Sequence, residues 1–178
     1  ERVNPEGTAA APGDDHSPSG TQCWVTGQGA PGGSEGANDV DGGTTTLLTP
    51  IFDLSSGSNP LISYWRWYSN DTGGSPNADT MTVDISDDGG ASWVPLEVVG
   101  PTQDASGGWI EATFTLTDFV NSTSQVQLRF MASDLGTGSI VEAAIDDLWI
   151  KDVTCNSSVG SNYCTPAVTN SSGLPGSI

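Results

Sequence analysis

Between residues 61 and 151 the chain repeats one kind of unit, a short run in which apolar and polar side chains alternate, closed by a cluster of Gly, Asn, Ser or Asp. Alternation of period two describes a strand with one buried face. Turn clusters recurring every roughly 8 to 12 residues describe strands that fold back on one another, an antiparallel sandwich rather than a parallel sheet with crossover helices. In residues 125–133, QVQLRFMAS, Val126, Leu128, Phe130 and Ala132 face in, while Gln125, Gln127, Arg129 and Met131 face out. Met81, Val83 and Ile85 form the inward set of another strand. No stretch supports a helix longer than a turn, so the expected fold is an all-β, two-sheet antiparallel β-sandwich of jelly-roll type.

With 178 residues the chain is one domain, able to bury roughly 70% of its unfolded surface in a single core. The expected division is an extended arm or first-strand remnant over 1–21, the sandwich over 22–155, and a Ser/Asn/Gly/Pro-rich linker or the start of a further module over 156–178. Twenty-two Asp and Glu against 4 Lys and Arg give a formal charge of -18. Nucleic acid and anionic membranes require a basic footprint that this chain lacks. No apolar run approaches the roughly 18 residues of a membrane span. A chain opening at Glu1 without methionine reads as a mature or excised piece of something longer. Cys23, Cys155 and Cys164 leave two pairings open, Cys23 with Cys155 across the ends of the sandwich or Cys155 with Cys164 in a short loop, and either favours an oxidising, exported setting.

Four stretches carry chemistry. The last strand, SIVEAAIDDLWIK over 139–151, holds adjacent carboxylates Asp146 and Asp147 in an apolar run, and a buried carboxylate needs neutralisation, for which a bound cation is the leading candidate. Simple alternation places Asp146 on the buried side with Ala144, Leu148 and Ile150, and Asp147 with Trp149. Asn38, Asp39 and Asp41, followed by Gly42 and Gly43, concentrate oxygen ligands on backbone able to turn sharply, as calcium requires; the alternative is a solvated turn. In residues 61–69, LISYWRWYS, Leu61, Ser63, Trp65 and Trp67 share one face and Ile62, Tyr64, Arg66 and Tyr68 the other. One face is core and the second, with its Arg between two tyrosines, is a candidate ligand platform with Arg129 and Glu142; the competing reading is ordinary packing of Arg on aromatics. Ser86, Asp88, Gly90, Ser92 and Trp93 match the Ser-x-Asp-x-Gly-x-Ser-Trp Asp box, a device that folds a hairpin. His16, the only histidine, sits in the arm with no second ligand near it in sequence and reads as a solvated loop residue.

Taken in order, TLLTPIFDLS, ISYWRWYSN, VDISDDGGASWV, QLRFMASD and SIVEAAIDDLWI resemble the MAM-like jelly-roll domains found beside catalytic domains in secreted bacterial proteins, such as zinc carboxypeptidases. The resemblance covers about residues 22–155. It implies a two-sheet jelly roll without catalysis of its own, and a calcium ion held between an early acidic loop, here Asp39 and Asp41, and the last-strand Asp, here Asp146. The acidic residue usual on the family's first strand has no counterpart here.

Enzymatic readings lack parts: no base accompanies a nucleophile, and Asp84 and Glu142 read better as charge partners of Arg66 and Arg129. The leading expectation is therefore a secreted, calcium-stabilised module binding a glycan or protein surface for a larger exported protein. The competing expectation is a repeating subunit of an extracellular fibre or surface layer, whose partners are copies of itself.

Overall fold

The computed structural model describes residues 1–5, 7–154 and 165–167. Two antiparallel sheets form a β-sandwich from strands β1 (Arg2–Val3), β2 (Cys23–Val25), β3 (Gly43–Leu48), β4 (Pro60–Gly73), β5 (Met81–Ser86), β6 (Val94–Val99), β7 (Ile110–Thr115), β8 (Gln127–Asp134), β9 (Ser139–Thr154) and β10 (Thr165–Ala167). One 3-10 turn, Leu116–Asp118, is the helical content among the described residues. The first sheet runs β1-β2-β9-β4-β7, with β10 paired to the far end of β9; the second runs β3-β8-β5-β6. The long central strands β4 and β9 hold the first sheet together, and the expected all-β sandwich is what forms.

The inward sets of β5 and β8 are as alternation predicts: Met81, Val83, Ile85, Val126, Leu128, Phe130 and Ala132 are all buried. Against them lie Ile62, Tyr64 and Tyr68 of β4 and Val141, Ala143 and Ile145 of β9. Tyr64 meets Phe130 edge to face, ring centroids 5.0 Å apart. Burying each such side chain contributes about 1.5–3 kcal/mol, so this shared layer is the main stabilising element.

Strand β4 runs on to Gly73 against β9. Near the start of the chain β1 pairs with β2, Arg2 opposite Trp24. One expectation is corrected: alternation fails along β9. Ser63 pairs with Trp149 and Trp65 with Asp146, so Asp147 and Leu148 together oppose the single residue Tyr64. This is a bulge, with Asp147 at φ 47. Leu148 and Ile150 therefore join Val141, Ala143 and Ile145 on the core side. Asp146 joins Ala144 and Glu142 on the outer face.

Candidate functional site

The Arg-and-tyrosine face of β4 is the interior of the sandwich. Tyr64 and Tyr68 are 0% exposed and Arg66 5%. Glu97 of β6 explains why an arginine is tolerated there: its carboxylate accepts from Arg66 Nε at 2.8 Å and from the Tyr64 hydroxyl at 2.9 Å. A second carboxylate, Asp104, accepts from the guanidinium at 3.0 Å. Burial, with Glu97 as the next cause, pushes the Tyr64 phenol well above its ordinary range; burial and then Asp79 do the same for Tyr68. Tyr64, Arg66 and Tyr68 cannot form an exposed platform.

The other two proposed platform members are scattered. Glu142 lies on the opposite, outer face of the first sheet, covered by Thr26, whose hydroxyl donates to it at 2.6 Å. Burial, opposed by that bond and reinforced by Asp39, raises its carboxyl to about 7. It is not a partner of either arginine. Arg129 points outward from β8, paired to Asp84 at 2.7 Å and placed over the Trp93 ring at 4.4 Å. Trp93 closes the Asp box, whose geometry is the folding device expected: Ser86 Oγ accepts from Gly90 N, and Asp88 accepts from the backbone and hydroxyl of Ser92. Those donors hold the Asp88 carboxyl down near 2.

The three expected cation ligands do not converge. Asp39 and Asp41 lie near Asp134 at the start of β3, where burial and then the Asp41 charge raise the Asp39 carboxyl. Asp39 also acts on Glu142, whereas Asp146 stands four residues further along β9, about 13 Å away at strand rise. Among the described residues no group of three or more His, Cys, Asp or Glu side chains is arranged to hold a metal. Asp146 instead accepts the backbone N–H groups of His16 at 2.9 Å and Ser17 at 3.3 Å. Asp147 accepts from His16 Nδ1 at 2.8 Å and from the Ser17 hydroxyl at 2.7 Å. The acidic pair thus clasps the arm. Asp15 approaches Asp146, and burial, followed by that charge, raises its carboxyl. Its Oδ2 is buried with no hydrogen-bond partner among the described residues.

The clasp builds an aromatic face that the sequence reading missed. His16 stacks on Trp65 with centroids 3.6 Å apart and meets Trp109 edgewise at 6.1 Å. Trp67 packs against Trp109, donates its indole N–H to Ala10 O at 2.7 Å, and lies under the arm. Trp109 donates to Asp14 O at 3.2 Å. Beside Trp65, Trp149 lies across from Ser63 and carries Lys151 Nζ over its ring at 4.0 Å. Glu111 accepts from the Ser63 hydroxyl at 2.9 Å, and Thr113 donates to the same Ser63. One signal was available: Ser63 and Ser69 share the tryptophan face of β4, whereas Ile62 shares the tyrosine face.

Cys23 is buried as a free thiol, among the described residues, in a small cluster with Val25 and Ala144. Burial, then Asp146, pushes its thiol up to about 12. Cys155 and Cys164 lie outside the described residues.

No protein-family model and no curated protein matches the chain. Among solved structures it is similar to the K3 cleaved adhesin domain of Lys-gingipain from Porphyromonas gingivalis, at 17% identity and a TM-score of 0.44 over 84% of this chain and 88% of that one. A CBM4 structure matches at 14% identity and a TM-score of 0.36 over 61% of this chain and 72% of that one.

Proposed function

We propose that this chain is a non-catalytic, secreted β-sandwich module that attaches a larger exported bacterial protein to a glycan or protein surface, and that calcium stabilises it. The observation carrying this reading is the outer face of the first sheet. Trp149 lies there beside Glu111, Thr113 and Lys151, next to the Trp65 and Trp109 rings that His16 packs against, so an apolar ring is bordered by donors and acceptors. Such a surface stacks on the apolar face of a sugar or on partner side chains while the polar groups fix orientation. The ionisable groups that acid–base chemistry would use are spent internally: His16 on Asp147, Arg66 on Glu97 and Asp104, Arg129 on Asp84. The ordered motifs from TLLTPIFDLS to SIVEAAIDDLWI support kinship with MAM-like jelly-roll accessory domains.

For calcium, the orphaned Asp15 Oδ2 beside Asp146 supports a site between the arm and β9, in place of the set with Asp39 and Asp41. Asp15→Asn should then abolish the calcium-induced rise in melting temperature, while Asp41→Asn leaves it intact.

Binding is tested by calorimetric titration with soluble β-glucan, chitin and pectin oligosaccharides. Trp149→Ala and Glu111→Ala should each weaken a positive titration by about tenfold or more. Unchanged affinity in both variants would sink the tryptophan face as the binding surface.

A further inference from the structure

A sandwich of two open sheets has four lateral edges, and three of them are guarded. β1 is two residues long, β6 carries Pro95 and Glu97 with a register shift against β5, and β7 carries Glu111. Strand β3 has no such protection. Its six residues, GTTTLL, contain no charge and no proline, and among the described residues it pairs regularly with β8 alone. An uncharged, regular, β-branched edge is a template for strand addition.

The ladder shows which groups are free. Thr49 N donates to Leu128 O at 3.0 Å, so Thr49 and, by alternation, Leu47 and Thr45 turn their backbone groups toward β8. Thr44, Thr46 and Leu48 therefore turn theirs outward. Beneath this edge the two sheets are not sealed. An apolar seam of about 50 Å³ runs between β3 and β2, lined by Trp24, Leu47, Met81, Phe130 and Ile145, with Glu1 at its rim. Trp24, paired beside Ile145, is 42% exposed.

The strand order determines what fits. The first sheet carries β1 beyond β2, whereas the second stops at β3, leaving a ledge one strand deep. A strand placed about 4.8 Å beyond β3 lies over that ledge and covers Trp24. A second copy of the sandwich would bring its own β1 and β2 into the same space. The surroundings are acidic: Glu1 stands at the seam, and Asp39, Asp41 and Asp134 cluster at the start of β3, with no Lys, Arg or His among the described residues that line the seam.

We propose that the free edge of β3 and the seam below it are a docking site for one extended strand of a partner protein, with alternating apolar residues facing the seam and Lys or Arg at its ends. The site is separate from the tryptophan face and stands or falls independently of it. The probe is the blocked peptide acetyl-Lys-Val-Thr-Val-Thr-Val-Lys-amide, read by amide hydrogen exchange on the whole chain. The expected result is new protection at Thr44, Thr46 and Leu48, with Thr45 and Leu47, already bonded to β8, unchanged. Thr46→Pro removes one outward donor and should abolish the response while Thr45 and Leu47 stay protected. If that variant unfolds, the same peptide N-methylated at its central valine should fail on the natural chain. Replacing both lysines by Glu should weaken binding several-fold, a difference that shrinks in about 0.5 M salt. The proposal is overturned if the three amides stay unprotected at millimolar peptide, or if they become protected without peptide as protein concentration rises, which would place a second copy at the edge.

Discussion

Arg66 sits between two fully buried tyrosines and draws its tolerance from Glu97 and Asp104. A buried guanidinium stripped of its main partner is an uncompensated charge, and such losses cost about 3–5 kcal/mol. Glu97→Ala should therefore destabilise by about that amount in chemical denaturation, and the Tyr64 hydroxyl loses its acceptor in the same step. Glu142 behaves oppositely. Its carboxyl is raised from 4.5 to about 7, chiefly by burial, so the folded state holds its proton more tightly than the unfolded chain does. The stability this contributes is complete below pH 4.5 and is lost as the pH rises toward about 7. Glu142→Gln should accordingly raise stability at pH 8 by on the order of 2 kcal/mol and change little at pH 4, which thermal melts at the two pH values check. Asn70 illustrates the same scale: its Asn-x-Thr motif suggests glycosylation, but the side chain is fully buried and its amide donates to Asp79 O.

At the level of elements, the arm, the bulge and the last strand work as one unit. The bulge at Asp147 turns both carboxylates toward the arm, and His16 closes the clasp by stacking on Trp65. His16→Ala removes the stack and one hydrogen bond, a loss of about 1–2 kcal/mol. Faster amide exchange at His16 and Ser17, which donate to Asp146, together with red-shifted tryptophan emission, is the expected signature. An unchanged emission spectrum would mean that the stack does not shield Trp65. The Asp box hairpin is closed locally by bonds among Ser86, Asp88 and Ser92, and its tip is tied to the 121–125 turn by Gly89 N donating to Gln125 O and Asn121 N donating to Asp87.

Across the whole molecule, a charge of -18 presses against compaction, and buried carboxylates at Asp79, Asp134 and Glu142 add to the load. The melting temperature should rise between about 10 and 150 mM sodium chloride as the Debye length shrinks from about 30 to 8 Å. Calcium should raise it further at constant ionic strength, by up to about 4 kcal/mol at 1,000 times its dissociation constant. A chelator that leaves the midpoint unmoved would reduce Asp15 and Asp146 to a neighbouring acidic pair, with Asp146 hydrogen-bonded to the arm. Local order alone determined much of this protein: the strands, their antiparallel return, the inward residues of β5 and β8, and the Asp box are written in alternation and turn residues. Alternation is symmetric, however, and does not say which face of β4 is the core when both carry large aromatics. That choice was made by Glu97 on β6, which neutralises Arg66 inside, and by an arm that covers Trp67 outside. The roles of Asp146 and Asp147 were likewise decided by a one-residue bulge and by His16, 131 positions away in sequence, because burial and hydrogen bonding act through neighbours in space.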